Sequence, residues 1–139
     1  MKRLMGLDIG DKTIGVAISD PLGIFAQGVM TIRRESNKKD YEILHQLILE
    51  HNIEKVVVGL PKNMNNTIGP QGEKTIKFSE KLKNKFRMEV VYQDERLTSV
   101  SAERVLIEGN VRRENRKKHI DKLAATLILQ SYMDANKEE

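Results

Sequence analysis

At 139 residues with 39% hydrophobic side chains, the chain is long enough to bury one core and short for two domains. It contains no cysteine, which excludes disulfide support and thiolate metal centres and fits a reducing compartment. No apolar stretch approaches the roughly 20 residues of a membrane span, so a single cytoplasmic domain over residues 1–139 with no membrane contact is expected.

The first predicted strand, Leu4-Met5-Gly6-Leu7-Asp8-Ile9-Gly10, is apolar except for Asp8. A carboxylate buried in such a strand is costly unless it meets a cation or several donors. The chain turns through Asp11-Lys12-Thr13 and resumes as Ile14-Gly15-Val16-Ala17-Ile18-Ser19, whose branched residues favour a sheet. Pro21-Leu22-Gly23 marks another turn, before a third strand around Gly28–Ile32.

Beyond a polar linker, Tyr41, Leu44, Leu47 and Ile48 repeat with helical period, and Asn52 is placed to stop that helix. Val56-Val57-Val58 is an unbroken β-branched run, the pattern of a strand covered on both faces. Phe78, Leu82 and Phe86 recur every four residues on a second helix, and Met88–Tyr92 supplies a fifth strand. Thr98 is placed to cap a helix carrying Ala102, Val105 and Leu106 that ends at Gly109-Asn110. A final helix, with Asp121 at its start, presents Ile120, Leu123, Ala124, Leu127 and Ser131 along one face, and the small Ala124 and Ala125 allow close approach to a sheet. Three strands in a meander followed by strand-helix-strand crossovers predict an α/β fold, a mixed five-stranded sheet with flanking helices.

Three acids stand at transitions between these elements: Asp8, Glu95 and Asp121. Ligands gather at the carboxyl ends of parallel strands, which brings the first two together; Asp121 joins them if the last helix points its N-terminus to that edge. Carboxylates without a cysteine or histidine cluster suit Mg²⁺ or Mn²⁺, and such ions support phosphodiester hydrolysis. Each acid also has a plain alternative: Asp8 as a turn former, Glu95 as the partner of Arg96, Asp121 at the positive end of a helix.

The loop from Gly59 to Gly72 is rich in glycine, proline and asparagine, and its backbone N–H groups, the Asn63 amide and Lys62 suit a phosphate as well as a plain crossover connection. The net charge of +4 is mild, yet Arg112, Arg113, Arg116, Lys117 and Lys118 fall almost together, either as a solvated face or as a hold on a nucleic-acid backbone. Few aromatic side chains are available for base stacking.

Gly6-Leu7-Asp8-Ile9-Gly10 with Gly15-Val16-Ala17, Val58-Gly59-Leu60-Pro61 through Gly69-Pro70, Asp94-Glu95-Arg96-Leu97-Thr98-Ser99 and Asp121-Lys122-Leu123-Ala124-Ala125 together resemble the YqgF family of Holliday-junction-resolvase-like proteins. The resemblance spans almost the whole chain in order. It implies an RNase H-like fold, catalytic and metal-holding roles for Asp8, Glu95 and Asp121, and a nuclease that matures the 5′ end of precursor 16S ribosomal RNA within a pre-30S particle. On this reading Lys62, Asn63, Arg96, Arg112, Arg113, Arg116, Lys117 and Lys118 contact nucleic acid. Cleavage of four-way DNA junctions, as by RuvC-type resolvases, is the neighbouring alternative, and a non-catalytic RNA-binding assembly factor is another. The Asp-x-Gly turn also resembles the phosphate element of actin-like ATPases, which close two such domains around a nucleotide; this chain has room for one. The family's Asn-Met-Asp/Asn-Gly turn becomes Asn63-Met64-Asn65-Asn66 here, with Asn66 in the glycine position. Asparagine tolerates left-handed backbone, so the loop shape is expected to persist.

Overall fold

The computed structural model describes residues 2–63, 65–94 and 113–136, with the backbone alone for residues 113–121. Strands β1 (Arg3–Ile9), β2 (Thr13–Ser19) and β3 (Ala26–Arg33) form an antiparallel meander. There follow α1 (Asn37–Glu50), β4 (Ile53–Leu60), α2 (Pro70–Phe86), β5 (Glu89–Asp94) and α3 (Arg113–Ala135). Sheet order is β3-β2-β1-β4-β5, with β4 parallel to β1 and β5 parallel to β4. This is the expected mixed five-stranded sheet, in RNase H-like topology. The predicted helix carrying Ala102, Val105 and Leu106 lies outside the described residues, as do Met64, Glu95, Arg96 and Arg112.

Local chemistry accounts for the element ends. Ser36 caps α1 by accepting from the Lys39 N–H at 3.2 Å, and Asn52, just past its end, adopts φ +54°, the stop its position suggested. Pro70 opens α2, where the first-turn N–H is dispensable. The strands divide their side chains between two cores. Met5, Leu7, Ile9, Val56 and Val58 pack against Tyr41, Leu44, Phe78 and Leu82 of α1 and α2. Val57 and Ala17 pack on the other face against Ala125, Ile128 and Leu129 of α3, so the valine run is indeed covered on both sides.

Helix α3 departs from its expected limits and face. It begins at Arg113, so the basic run is largely helical and Asp121 lies two turns inside rather than at the start. Arginine, lysine and glutamate are good helix formers, and nothing in Arg113–Lys118 breaks the helix. Ala124, Ala125, Ile128, Leu129 and Met133 are buried, whereas Leu123 and Leu127 are half-buried and Ser131 is exposed. The helix is thus rotated by about one residue, because the sheet beneath offers small side chains where alanine can approach closely.

Tyr92 on β5 donates its hydroxyl to Glu80 Oε2 of α2 at 2.9 Å. Burial, reinforced by that hydrogen bond, pushes its phenol up to about 12. A pKa raised in the folded state leaves the stabilisation intact below the unfolded value near 10 and removes it as pH rises through about 12. The thermal midpoint should therefore fall between pH 10 and 12 more steeply in wild type than in Tyr92→Phe; parallel curves would assign the alkaline loss elsewhere.

Candidate active site

Side-chain alternation fixes which way Asp8 faces. Met5, Leu7 and Ile9 enter the α1/α2 core, so Leu4, Gly6 and Asp8 project toward α3. The register then sets a row across the carboxyl end of the sheet on that face. Asp8 pairs with Gly15, which pairs with Thr31; on the other side, the residue after the Leu7–Val58 pair is Gly59, paired with Gln93. Asp8 therefore stands between two glycines, in a lane where neither neighbouring strand carries a side chain. It is half-buried rather than sunk in the core, so it keeps access to a ligand at the strand end.

The direction of α3 completes the geometry. Tyr132 pairs with Lys55 and packs near Leu4 at the amino end of β1, while a Cβ on Gly6 would lie 2.7 Å from Leu129 Cβ and 3.0 Å from the Ala125 carbonyl. Moving from Leu4 through Gly6 toward Asp8 thus moves toward the helix N-terminus. Asp121 lies one turn before Ala125 on this path, at the Asp8 end of the helix. Glu95 follows Asp94, the last residue of β5, whose partner Leu60 ends β4 at the same edge. The side chains of Glu95 and Asp121 lie outside those described.

The β1–β2 turn is held from beneath by Arg34, a residue that sequence reasoning missed. Gly10 N–H donates to the Thr13 carbonyl at 2.8 Å, closing the turn. Arg34 Nη1 donates to the Gly10 carbonyl at 2.8 Å, Nε to Asp40 Oδ2 at 2.9 Å and Nη2 to Asn37 Oδ1 at 2.9 Å, while its guanidinium lies 5.0 Å from the Phe78 ring centre. One side chain so links the end of β1 to α1 and α2, and Asp40, 1% exposed, meets its compensating cation. Arg34 carries no pattern of its own in the sequence; only its three-way position identifies it.

The loop after β4 is ordered by its own asparagines. Asn63 N–H donates to the Thr67 carbonyl at 2.8 Å and its Nδ2 to Thr67 Oγ1 at 3.0 Å, while Asn65 Oδ1 accepts from both the Thr67 N–H and hydroxyl. Asn66 adopts φ +70°, the left-handed conformation that suits asparagine in a glycine position. Lys62 reaches Asn66 Oδ1 at 3.5 Å. Gly72 has no room for more: a Cβ would lie 2.6 Å from Ile68 Cγ2 and 2.8 Å from the Pro61 carbonyl.

Asp8 supplies the hard oxygen donor that suits a divalent ion. The one fully described acid of the trio is an aspartate whose neighbours on β2 and β4 are glycines, and the chain has no thiol to compete. Two of the three histidines are elsewhere: His45 stacks on Phe86 at 4.6 Å and His51 closes α1. Among the described residues no three acids or histidines converge into a metal cluster.

The family model described as "RuvX: Holliday junction resolvase" matches residues 2–135. The chain belongs to the RuvX (YqgF) family. It is 60% identical over 136 residues to a Caldanaerobacter subterraneus subsp. tengcongensis protein named "Putative pre-16S rRNA nuclease", covering 97% of this chain and 98% of the relative. A Thermoanaerobacter pseudethanolicus protein of the same name is 57% identical over 138 residues, covering 99% of each. In fold, this RuvX-family chain is similar to T. thermophilus RuvC in complex with Holliday junction substrate, with a TM-score of 0.64 at 12% identity, covering 99% of this chain and 97% of that one. The first two likenesses carry the family; the third carries the fold alone.

Proposed function

We propose that this chain is a divalent-metal-dependent endonuclease that hydrolyses phosphodiester bonds in the 5′-end maturation of precursor 16S ribosomal RNA. The observation that carries this reading is Asp8, held on the α3 face at the carboxyl end of the sheet between Gly15 and Gly59. The near-full-length likeness to relatives bearing the pre-16S rRNA nuclease name selects RNA processing over junction cleavage, for which the likeness to RuvC supports only the fold.

In this reading Asp8, Glu95 and Asp121 hold Mg²⁺ or Mn²⁺. When bound, such an ion offsets charge at the scissile phosphate and lowers the pKa of water. The chain's own part is to aim and to hold. Gly15 and Gly59 place no side chain of β2 or β4 beside Asp8, and the Arg34-braced turn keeps the end of β1 fixed. Lys62 and Asn63 on the β4–α2 loop, Arg96, and the run Arg112, Arg113, Arg116, Lys117 and Lys118 grip the backbone, offsetting the repulsion between three acids and a polyanion. Arg113 to Lys118 lie in the first turns of α3, upstream of Asp121 on the same helix.

The test is cleavage by the purified protein of precursor 16S RNA, an unrelated structured RNA and a four-way DNA junction, each with Mg²⁺, Mn²⁺ or chelator. Metal-dependent cleavage confined to the precursor is the expected result. Selective cleavage of the junction would move the function to DNA, and RNA binding without cleavage under any metal would make the protein an assembly factor.

A further inference from the structure

The sequence directs attention to the basic run before Asp121, but the structure assembles a second cationic feature from distant segments. Arg34, Lys74, Lys77 and Lys81, with Asp11 and Gln71, line a cleft of about 250 Å³. It opens beside Ile9, the residue after Asp8, and lies on the α2 side of the sheet. The three lysines recur at spacings of three and four, which places them on one stripe of α2.

The charges in this cleft are unequally committed. Arg34 is occupied by Asp40, Asn37 and the Gly10 carbonyl. Asp11, the one acid in the lining, lies 3.4 Å from Lys74 Nζ, which offsets its charge. Lys77 and Lys81 are exposed and make no ion pair among the described residues. Two exposed ammonium groups on a helix, backed by a third and a fixed guanidinium, present a row of positive charge to an anion. The one aromatic ring in the lining, Phe78, is 5% exposed and lies beneath Arg34, so it offers no platform for a base. What fits is a backbone phosphate, held without regard to sequence.

We propose that this cleft is a backbone-phosphate subsite, receiving the strand of nucleic acid that passes over the Gly10–Lys12 turn from the Asp8 lane to the α2 side of the sheet. The subsite rests on the nuclease reading above. It divides the work of binding: the cations around α3 act on one face of the sheet, and the α2 lysines take the flanking strand on the other. Because the contacts are to phosphate alone, the cleft contributes affinity and register, with equal effect on matched and unmatched sequences.

Lys77→Gln/Lys81→Gln tests this against Lys2→Gln/Lys83→Gln, which removes the same charge from exposed lysines away from the cleft. RNA carrying a single-stranded flank is titrated in chelator, so that binding is read whether or not the protein cleaves. The cleft variant should keep the wild-type thermal midpoint, bind about tenfold more weakly near 0.1 M salt, and reduce the slope of log affinity against log salt by roughly 1.4 to 1.8. The control pair should change neither by more than its share of the general field. Wild-type affinity and slope in the cleft variant would overturn the subsite while leaving the nuclease reading intact. Failure of wild type to bind RNA at all would overturn both. Loss of polyglutamate binding without loss of RNA binding would reassign the lysines to an acidic protein partner.

Discussion

Asp8→Asn is expected to fold as wild type does, bind RNA nearly as well, and lose roughly a hundredfold or more in metal-dependent cleavage. Asparagine keeps the size and one acceptor oxygen of aspartate, and the strand around it is anchored by Leu7 and Ile9, both buried in the α1/α2 core. What disappears is the negative charge in the lane between Gly15 and Gly59. A readout independent of turnover comes from Mn²⁺ itself: a ligand that binds only the folded state raises the midpoint with concentration, and Asp8→Asn should flatten that response. A variant cleaving at the wild-type rate would remove Asp8 from the site, and a wild-type Mn²⁺ response would remove it from the metal.

Gly6→Ala should be a damaging single methyl addition to the sheet. Its Cβ would stand 2.7 Å from Leu129 Cβ and 3.0 Å from the Ala125 carbonyl, atoms belonging to a packed helix that cannot swing aside. Overpacking of this kind costs about 1–3 kcal/mol, and for a chain of this size that lowers the midpoint by roughly 3–10 °C. Gly28→Ala provides the comparison. There the nearest atom is Lys122 Cγ, also at 2.7 Å, but a lysine side chain has other rotamers to adopt. Differential scanning calorimetry of the two variants should rank Gly6→Ala well below Gly28→Ala. Equal midpoints would mean that α3 does not press on β1 as closely as the small residues Gly6 and Ala17 allow. Because α3 also carries Asp121, Gly6→Ala should depress cleavage beyond what its stability explains.

The sequence by itself determined the strands, the first two helices and the singularity of Asp8, because those signals are local. An apolar run broken by one carboxylate, a four-residue repeat at Phe78, Leu82 and Phe86, or a β-branched triplet at Val56 to Val58 is legible within a dozen residues. The family motifs likewise lie in short stretches, and they carry the assignment that the relatives bear out. The left-handed φ at Asn66 was also foreseeable, since few residues adopt it without strain. Three matters needed the tertiary structure. The lane around Asp8 depends on register across three strands, which brings Gly15 and Gly59 to either side of a residue 51 positions before the second of them. The start and buried face of α3 depend on what lies beneath it: the close approach that Ala124 and Ala125 suggested is met, with Ala125 over Gly6, but Ile128, Leu129 and Met133 complete the buried face in place of Leu123, Leu127 and Ser131. Arg34 and the α2 lysines meet only when the β3–α1 connection and α2 pack on the same side of the sheet. Periodicity reports which side of its own element a residue occupies, whereas a site is made where elements far apart in the chain are brought into contact, and that is decided by how their surfaces pack.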